Sequence, residues 1–223
     1  MKVYISAGHG GRFPGAAANG YVEKIINLEM ALMVRDFLSD YECDIMMART
    51  TDVTKRIAER VKEANDWGAD LVLDLHFNGF DDPTARGYGT YVHPQIPSRT
   101  LNIAQTIHVH NWDVLKKKTL DRGIRKRDFM ILRETKMSAV LLEYVFLTNP
   151  QDAALIEGNK KALAKATAEG IAEALGLKKK TKDPVYRVIV DGKQLFALRE
   201  KANIIRQLDE HIGKAKEIKL EKV

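Results

Sequence analysis

DLVLDLHFN, residues 70 to 78, is the stretch on which the fold turns. Leu71, Val72, Leu73 and Leu75 make it a mostly apolar run, the signature of a strand buried on both faces in a parallel sheet covered by helices. The run ends on His76 and Asn78. Outward from it, strand and helix patterns alternate. KVYIS (2–6) alternates and is rich in β-branched residues, so it predicts a strand that leads into a glycine loop. From Lys24 to about Leu38 apolar residues recur at helical spacing. CDIMMAR (43–49) reads as a strand, and TKRIAERVKEANDWG (54–68) as a helix closed by Gly68.

Beyond the central run, YGTYVH (88–93) predicts a strand and SRTLNIAQTIHVHNW (98–112) an amphipathic helix. FMILR (129–133) and AVLLEYV (139–145) predict two further strands. NKKALAKATAEGIAEALG (159–176) predicts a helix ended by Gly176. The expected fold class is therefore α/β, a mostly parallel central sheet with helices on both faces. Ligands of such sheets gather at the carboxyl ends of the strands.

The chain has 223 residues, 45% hydrophobic and 30% charged, a composition that excludes disordered and membrane-spanning classes. No apolar run approaches the roughly 20 residues that cross a bilayer, so membrane insertion is not expected. Cys43 is the only cysteine, which excludes an intrachain disulfide and assigns it a structural place beside a strand. The start MKVYISAGHG has no signal-peptide pattern, and synthesis in the cytoplasm is the expectation.

Charge separates the ends of the chain. Residues 1 to 177 hold 23 Lys and Arg against 23 Asp and Glu, whereas residues 178 to 223 hold 13 against 7, so the net charge of +6 belongs to the tail. LKKKTKDP (177–184) reads as a basic linker. Residues 185–223 read as a small strand-helix-strand module, too small to be more than marginal alone. The expected division is thus 1–176, linker 177–184 and module 185–223. A basic tail attracts anionic polymers, but no nucleic-acid-reading motif accompanies it, and no nucleic-acid partner is expected.

The candidate chemistry lies at the strand ends. His9 follows the first strand, Glu23 closes its glycine loop, His76 ends the central strand and Glu143 ends AVLLE. Two imidazoles and a carboxylate with a fourth position open is a catalytic zinc arrangement. A further glutamate that is no ligand supplies the proton acceptor such a site needs. His93, His108, His110 and His211 are assigned structural places, since His108 and His110 lie two apart on a helix and point to different faces. Arg49 and Arg60 are expected in salt bridges, DRGIRKRD (121–128) as a solvated loop, and Trp67 and Trp112 as core anchors.

Several motifs in order carry a resemblance: AGHGG with PGA behind it, Glu23 opening a helix, ARTTD, KRIAERVKEAN, ADLVLDLHFNG, ILRETKMSAVLLEYVFLTNPQD and the alanine-rich helix. Over residues 1 to about 176 the chain resembles the zinc-dependent N-acetylmuramoyl-L-alanine amidases of the type 3 family. The resemblance implies zinc bound by His9, Glu23 and His76, with Glu143 as the catalytic carboxylate. It implies hydrolysis of the amide between N-acetylmuramic acid and L-alanine of the peptidoglycan stem. Asn78 is a candidate substrate hydrogen-bond donor. ISAGHGG stands where the family often has Asp-Pro before the glycine, and Tyr144 and Val145 stand where it often has a small residue and glycine. These departures touch the surroundings of the site and leave the ligand set intact.

Two other readings use the same residues, a zinc-dependent peptidoglycan peptidase and a non-catalytic wall-binding protein. The C-terminal module reads as a wall-binding unit, faintly similar to half of a sporulation-related peptidoglycan-binding repeat, or as a unit that forms a homodimer. An enzyme of this kind without a signal peptide acts on the wall after release, as an endolysin through a holin or as an autolysin at mother-cell lysis. The compact layout favours the endolysin.

Overall fold

The computed structural model describes residues 1–181, 185–198 and 200–222, with Lys201 by its backbone alone. They fall into two compact units, Met1–Lys179 and Lys180–Val223. The division lies inside the expected linker, whose residues 182–184 are outside the described residues.

In the first unit, β1 (Lys2–Ala7) leads through a small hairpin, β2 (Ala17–Ala18) and β3 (Tyr21–Val22), into α1 (Glu23–Leu38). β4 (Asp44–Met47), α2 (Ile57–Trp67), β5 (Leu71–Asn78), β6 (Tyr88–Val92) and α3 (Ser98–Leu115) follow. β7 (Asp121–Lys126), α4 (Met130–Arg133), β8 (Ser138–Phe146), α5 (Pro150–Ala153) and α6 (Ile156–Leu175) complete it. One six-stranded sheet runs β4-β1-β5-β8-β6-β7. β4, β1, β5 and β8 are mutually parallel; β6 runs antiparallel to β8 and carries β7 parallel to itself.

The two-residue period of the strands divides the core. Val3, Ile5, Leu71, Leu73, Leu75, Val140 and Leu142 pack with residues of α1, α3 and α6. Tyr4, Val72, Ala139 and Leu141 point the other way and pack with Val61 and Ala64 of α2 and Ile131 and Leu132 of α4. Leu71, Leu73 and Leu75 are fully buried, and each such side chain stabilises the fold by roughly 1.5 to 3 kcal/mol. They pin β5, and with it the residues at its carboxyl end. His76 and Glu143 continue the rows of Val72 and Leu141, so both fall on the face that only α2 and the short α4 cover.

Two elements differ from the sequence expectation. FMILR is a helical turn with Phe129 as its N-cap, in place of a strand. A five-residue apolar run has no period long enough to separate the two states, and here burying the adjacent Ile131 and Leu132 against the α2 face decides for the turn. DRGIRK, expected as loop, is the edge strand β7. Its charged residues are what an edge strand carries to avoid pairing with another chain.

The second unit contains β9 (Tyr186–Val190), β10 (Lys193–Leu198), α7 (Lys201–His211) and β11 (Ile218–Lys222), with strand order β10-β9-β11. The expected strand-helix-strand is present, and its first strand is doubled into a hairpin. Asp191 and Gly192 turn that hairpin at φ of 48° and 78°, the conformation that Asp-Gly favours.

Candidate metal centre

The structure brings His9, Glu23 and His76 together although 67 positions of chain separate the first from the last. One ligand atom of each lies within 4.8 Å of the others. Glu23 sits between the imidazoles, with Oε2 3.1 Å from His9 Nε2 and Oε1 2.8 Å from His76 Nδ1. The two rings stand edge to face, 5.0 Å between centroids. Glu143 is paired with His76 in the β5–β8 register. All four residues expected from the sequence therefore converge on one rim of the sheet.

Local chemistry holds them there. Glu23 is the first residue of α1, where the helix dipole favours an anion; its carboxylate also accepts from the Ala16 N–H at 2.9 Å and from Asn27 Nδ2 at 3.2 Å. Asn27 donates to the Gly8 carbonyl as well. Side chains at two glycines would collide with the centre. A Cβ at Gly8 would lie 2.3 Å from the His76 ring, and one at Gly15, whose φ is 69°, would lie 2.4 Å from Glu23 Oε2. His9 itself has φ of 60°, a backbone state that non-glycine residues hold only when the surroundings enforce it.

Arg49 and Arg60 enforce it. Arg49 donates to the carbonyls of Ala7, Gly8, Thr51 and Lys24. Arg60 donates to Ser6 Oγ and to the carbonyls of Ala7, His9 and Lys55. Both are buried. The expected salt bridges are absent among the described residues; the guanidiniums instead clasp the backbone that carries His9, because a tight loop leaves inward carbonyls that need donors. Burial, with the like charge of Arg60 beside it, lowers the Arg49 pKa to about 10, so it stays charged at neutral pH.

The sequence reading missed Asp74. Its Oδ2 lies 3.2 Å from His76 Nε2, opposite the nitrogen that meets Glu23. A histidine that ligates a metal commonly donates its other ring nitrogen to a carboxylate, which fixes its tautomer and orientation. Asp74 and His76 are two apart on one strand and so share a face, a signal present in DLH but not used.

The electrostatics suit a divalent cation. Burial opposes the Glu23 carboxylate, yet hydrogen bonds from His76 and His9 outweigh it and hold its pKa far below the usual range. Burial opposes the His76 imidazolium too, but Asp74, Glu23 and Glu143 outweigh it and hold the pKa well above 6.5. Glu143 goes the other way: burial, reinforced by Glu23 and Asp74, pushes its pKa up to about 8. Its Oε2 is buried and has no hydrogen-bond partner among the described residues. Glu23 and Asp74 keep their negative charge beside the two imidazoles, charge that a cation held by nitrogen and oxygen ligands would offset.

The remaining sequence assignments resolve around this centre. Asn78 lines the cleft beside it, and its side-chain oxygen accepts from the Gly79 N–H. His108 is buried between Thr90 and Asp121, His110 pairs with Glu173, His93 with Asp128, and His211 meets the Gln207 carbonyl. Trp67 and Trp112 pack against the two cores, and Cys43 packs against the larger one.

Comparison with known proteins places this geometry. Residues 3–173 match the N-acetylmuramoyl-L-alanine amidase family model. The chain belongs to this family of amidases. The amidase is 34% identical over 208 residues to a sporulation-specific N-acetylmuramoyl-L-alanine amidase of Bacillus subtilis, covering 91% of this chain and 77% of that one. It is 38% identical over 185 residues to an endolysin of Bacillus phage SPP1, covering 80% and 68%. Among solved structures it is similar to the catalytic domain of CwlV from Paenibacillus polymyxa, with a TM-score of 0.74 and 32% identity over 79% of this chain and 99% of that one. The amidase of Clostridium difficile gives 0.75 and 30% over 78% and 96%. The amidase thus acts on peptidoglycan, and no helix among its described residues is long and apolar enough to cross a membrane.

Proposed function

We propose that this peptidoglycan amidase cuts the bond between N-acetylmuramic acid and L-alanine by a zinc-dependent mechanism, with His9, Glu23 and His76 as ligands and Glu143 as the catalytic acid and base. The observation that carries the reading is the buried Glu143 Oε2, which has no hydrogen-bond partner among the described residues and lies across the register from His76. An orphaned carboxylate oxygen is unfavourable by about 1 to 3 kcal/mol or more, and such groups cluster where chemistry needs them.

When bound, zinc supplies Lewis acidity and acidifies water from a pKa of about 15.7 toward about 7. Glu23 and the two imidazoles would hold it, and Asp74, 3.2 Å from Nε2, orients the His76 ring. Glu143 takes a proton from the attacking water on a carboxylate oxygen and returns it to the amine that leaves as the alanine nitrogen. A pKa near neutrality suits both halves of that task. Asn78, on the wall of the cleft, hydrogen-bonds the substrate.

The second unit binds the wall in this reading. The 91% coverage by the sporulation-specific relative exceeds what the first unit alone can supply, and the tail carries the net positive charge. Relatives that are an endolysin and a sporulation amidase support both routes of release, and a catalytic unit followed by a small basic unit favours the endolysin.

The test is digestion of purified peptidoglycan with and without a chelator, followed by end-group analysis. Chelator-sensitive appearance of alanine amines without new reducing sugars supports the mechanism. New amines from peptide bonds within the stem would make the enzyme a peptidase, and no release at all would leave a wall-binding protein.

A further inference from the structure

The end of the sheet opposite the metal centre carries a cavity of its own. β6 runs antiparallel to β8, and β7 runs parallel to β6, so the carboxyl ends of β6 and β7 fall at the amino end of β8. Ser138 opens β8 and Glu143 lies five residues along it, which sets this end about 17 Å from the level of Glu143. Here a cavity of about 340 Å³ opens between the end of β6, the start of α3 and the segment that joins α4 to β8.

Its polar lining is basic and hydroxylated, with His93, Arg99, Arg133, Lys136, Thr100 and Ser138, and it contains no carboxylate. Lys126 is paired with Val92 in the β6–β7 register, and the Arg127 N–H donates to the Val92 carbonyl, which brings both residues to the edge of the cavity at His93. Residues 121 to 138 hold six Lys and Arg against three Asp and Glu, although residues 1 to 177 balance at 23 each. All three carboxylates of this stretch are engaged. Asp121 pairs with His108, Asp128 with His93 and Arg133, and Glu134 with Arg133. Arg99, Lys126, Arg127 and Lys136 are exposed and have no ion pair among the described residues. Unpaired cations gathered at one end of an otherwise neutral unit make a field that draws anions there.

We infer that this basic end binds a phosphodiester polymer of the cell wall, with Arg99 and Lys136 meeting phosphates in the cavity and Lys126 and Arg127 meeting others along the edge of β7. Shape selects among polyanions. A concave cavity admits a single chain, whereas the flat surface of a membrane does not enter it. No Phe, Tyr or Trp lines it, so the bases of a single-stranded nucleic acid find no stacking platform. A chain of polyols and phosphates needs only cations and hydroxyl partners, which the lining supplies. The amidase works within peptidoglycan, where such chains are its neighbours. Binding at this end holds the enzyme in the wall and leaves the cleft at the metal centre open.

The test is titration of the full-length protein with fluorescently labelled poly(glycerol phosphate) over a range of salt concentrations. The combined variant Arg99→Gln, Arg127→Gln, Lys136→Gln should weaken binding by about 10- to 100-fold, since each exposed charge contact is worth up to about fivefold. It should also lower the slope of log Kd against log salt by about 2, at about 0.7 for each charge on a flexible single chain. The charge-conserving set Arg99→Lys, Arg127→Lys, Lys136→Arg should stay within about threefold of the native protein. Lys178→Gln, Lys179→Gln, Lys180→Gln removes the same charge from the tail and should also change Kd by less than about threefold. Polymer binding that survives the first set, or that the tail set abolishes instead, overturns the assignment. Tighter binding to phosphatidylglycerol vesicles or to oligothymidylate than to the polymer overturns the choice of partner.

Discussion

Replacing Glu143 by glutamine should trade activity for stability, and the amount follows from its burial. The ordinary glutamate pKa of 4.5 is raised to about 8 in the folded protein. The native state therefore binds this proton more tightly than the unfolded chain does. Below about pH 4.5 the group is neutral in both states and stability is at its fullest; it is lost as pH rises, completely so above about 8. Each tenfold difference in proton affinity is worth about 1.4 kcal/mol, which puts the loss at about 3 kcal/mol by pH 7. Glutamine has no proton to lose. Urea unfolding of the chelator-treated proteins at pH 4.5 and pH 7 reads the effect, and any constant contribution of the new amide cancels in the comparison. The stability gap should widen by about 3 kcal/mol in favour of the Glu143→Gln variant between the two pH values. In the zinc-loaded enzyme the same variant should retain metal and lose about 10²- to 10⁴-fold in turnover. A gap that does not change with pH would refute the buried-carboxylate argument, and normal turnover would refute the catalytic role.

Four further outcomes are expected. His76→Ala should lose both zinc and activity, whereas Asp74→Asn should weaken zinc binding by about 10- to 100-fold in a competition titration; unchanged affinity would show that Asp74 does not orient His76. Arg60→Met removes the Arg60 donor from the inward His9 carbonyl and one of the two donors from Ala7, and should destabilise the first unit by about 1 to 3 kcal/mol in urea melts, with a loss below about 0.5 kcal/mol speaking against the clasp. Removing the chain beyond Lys180 should abolish pelleting with purified walls while leaving monomer mass and cleavage of soluble substrate intact; a fall in oligomer size instead would make the second unit an assembly device.

Much of this protein is legible in the order of its residues. The strands β1, β5 and β8 and the helices α1, α2, α3 and α6 follow from apolar spacing, because a period of two or 3.6 is set by near neighbours. Asp-Gly at 191–192 marks a hairpin by the same local rule. FMILR and DRGIRK are not legible in this way, because a short apolar run and a charged edge strand take their state from what packs beside them.

The metal centre divides in the same way. His9, Glu23, His76 and Glu143 stand out through their place at strand ends and the motifs around them, since a ligand must have the right donor wherever it lies. Arg49 and Arg60 could be seen as charges but not as clasps, because their acceptors are carbonyls that turn inward only once the loop has folded. Glu143 is an ordinary glutamate in the sequence. Its raised pKa comes from desolvation by strands and carboxylates brought in from distant parts of the chain, and burial of that kind is a property of the packed molecule alone.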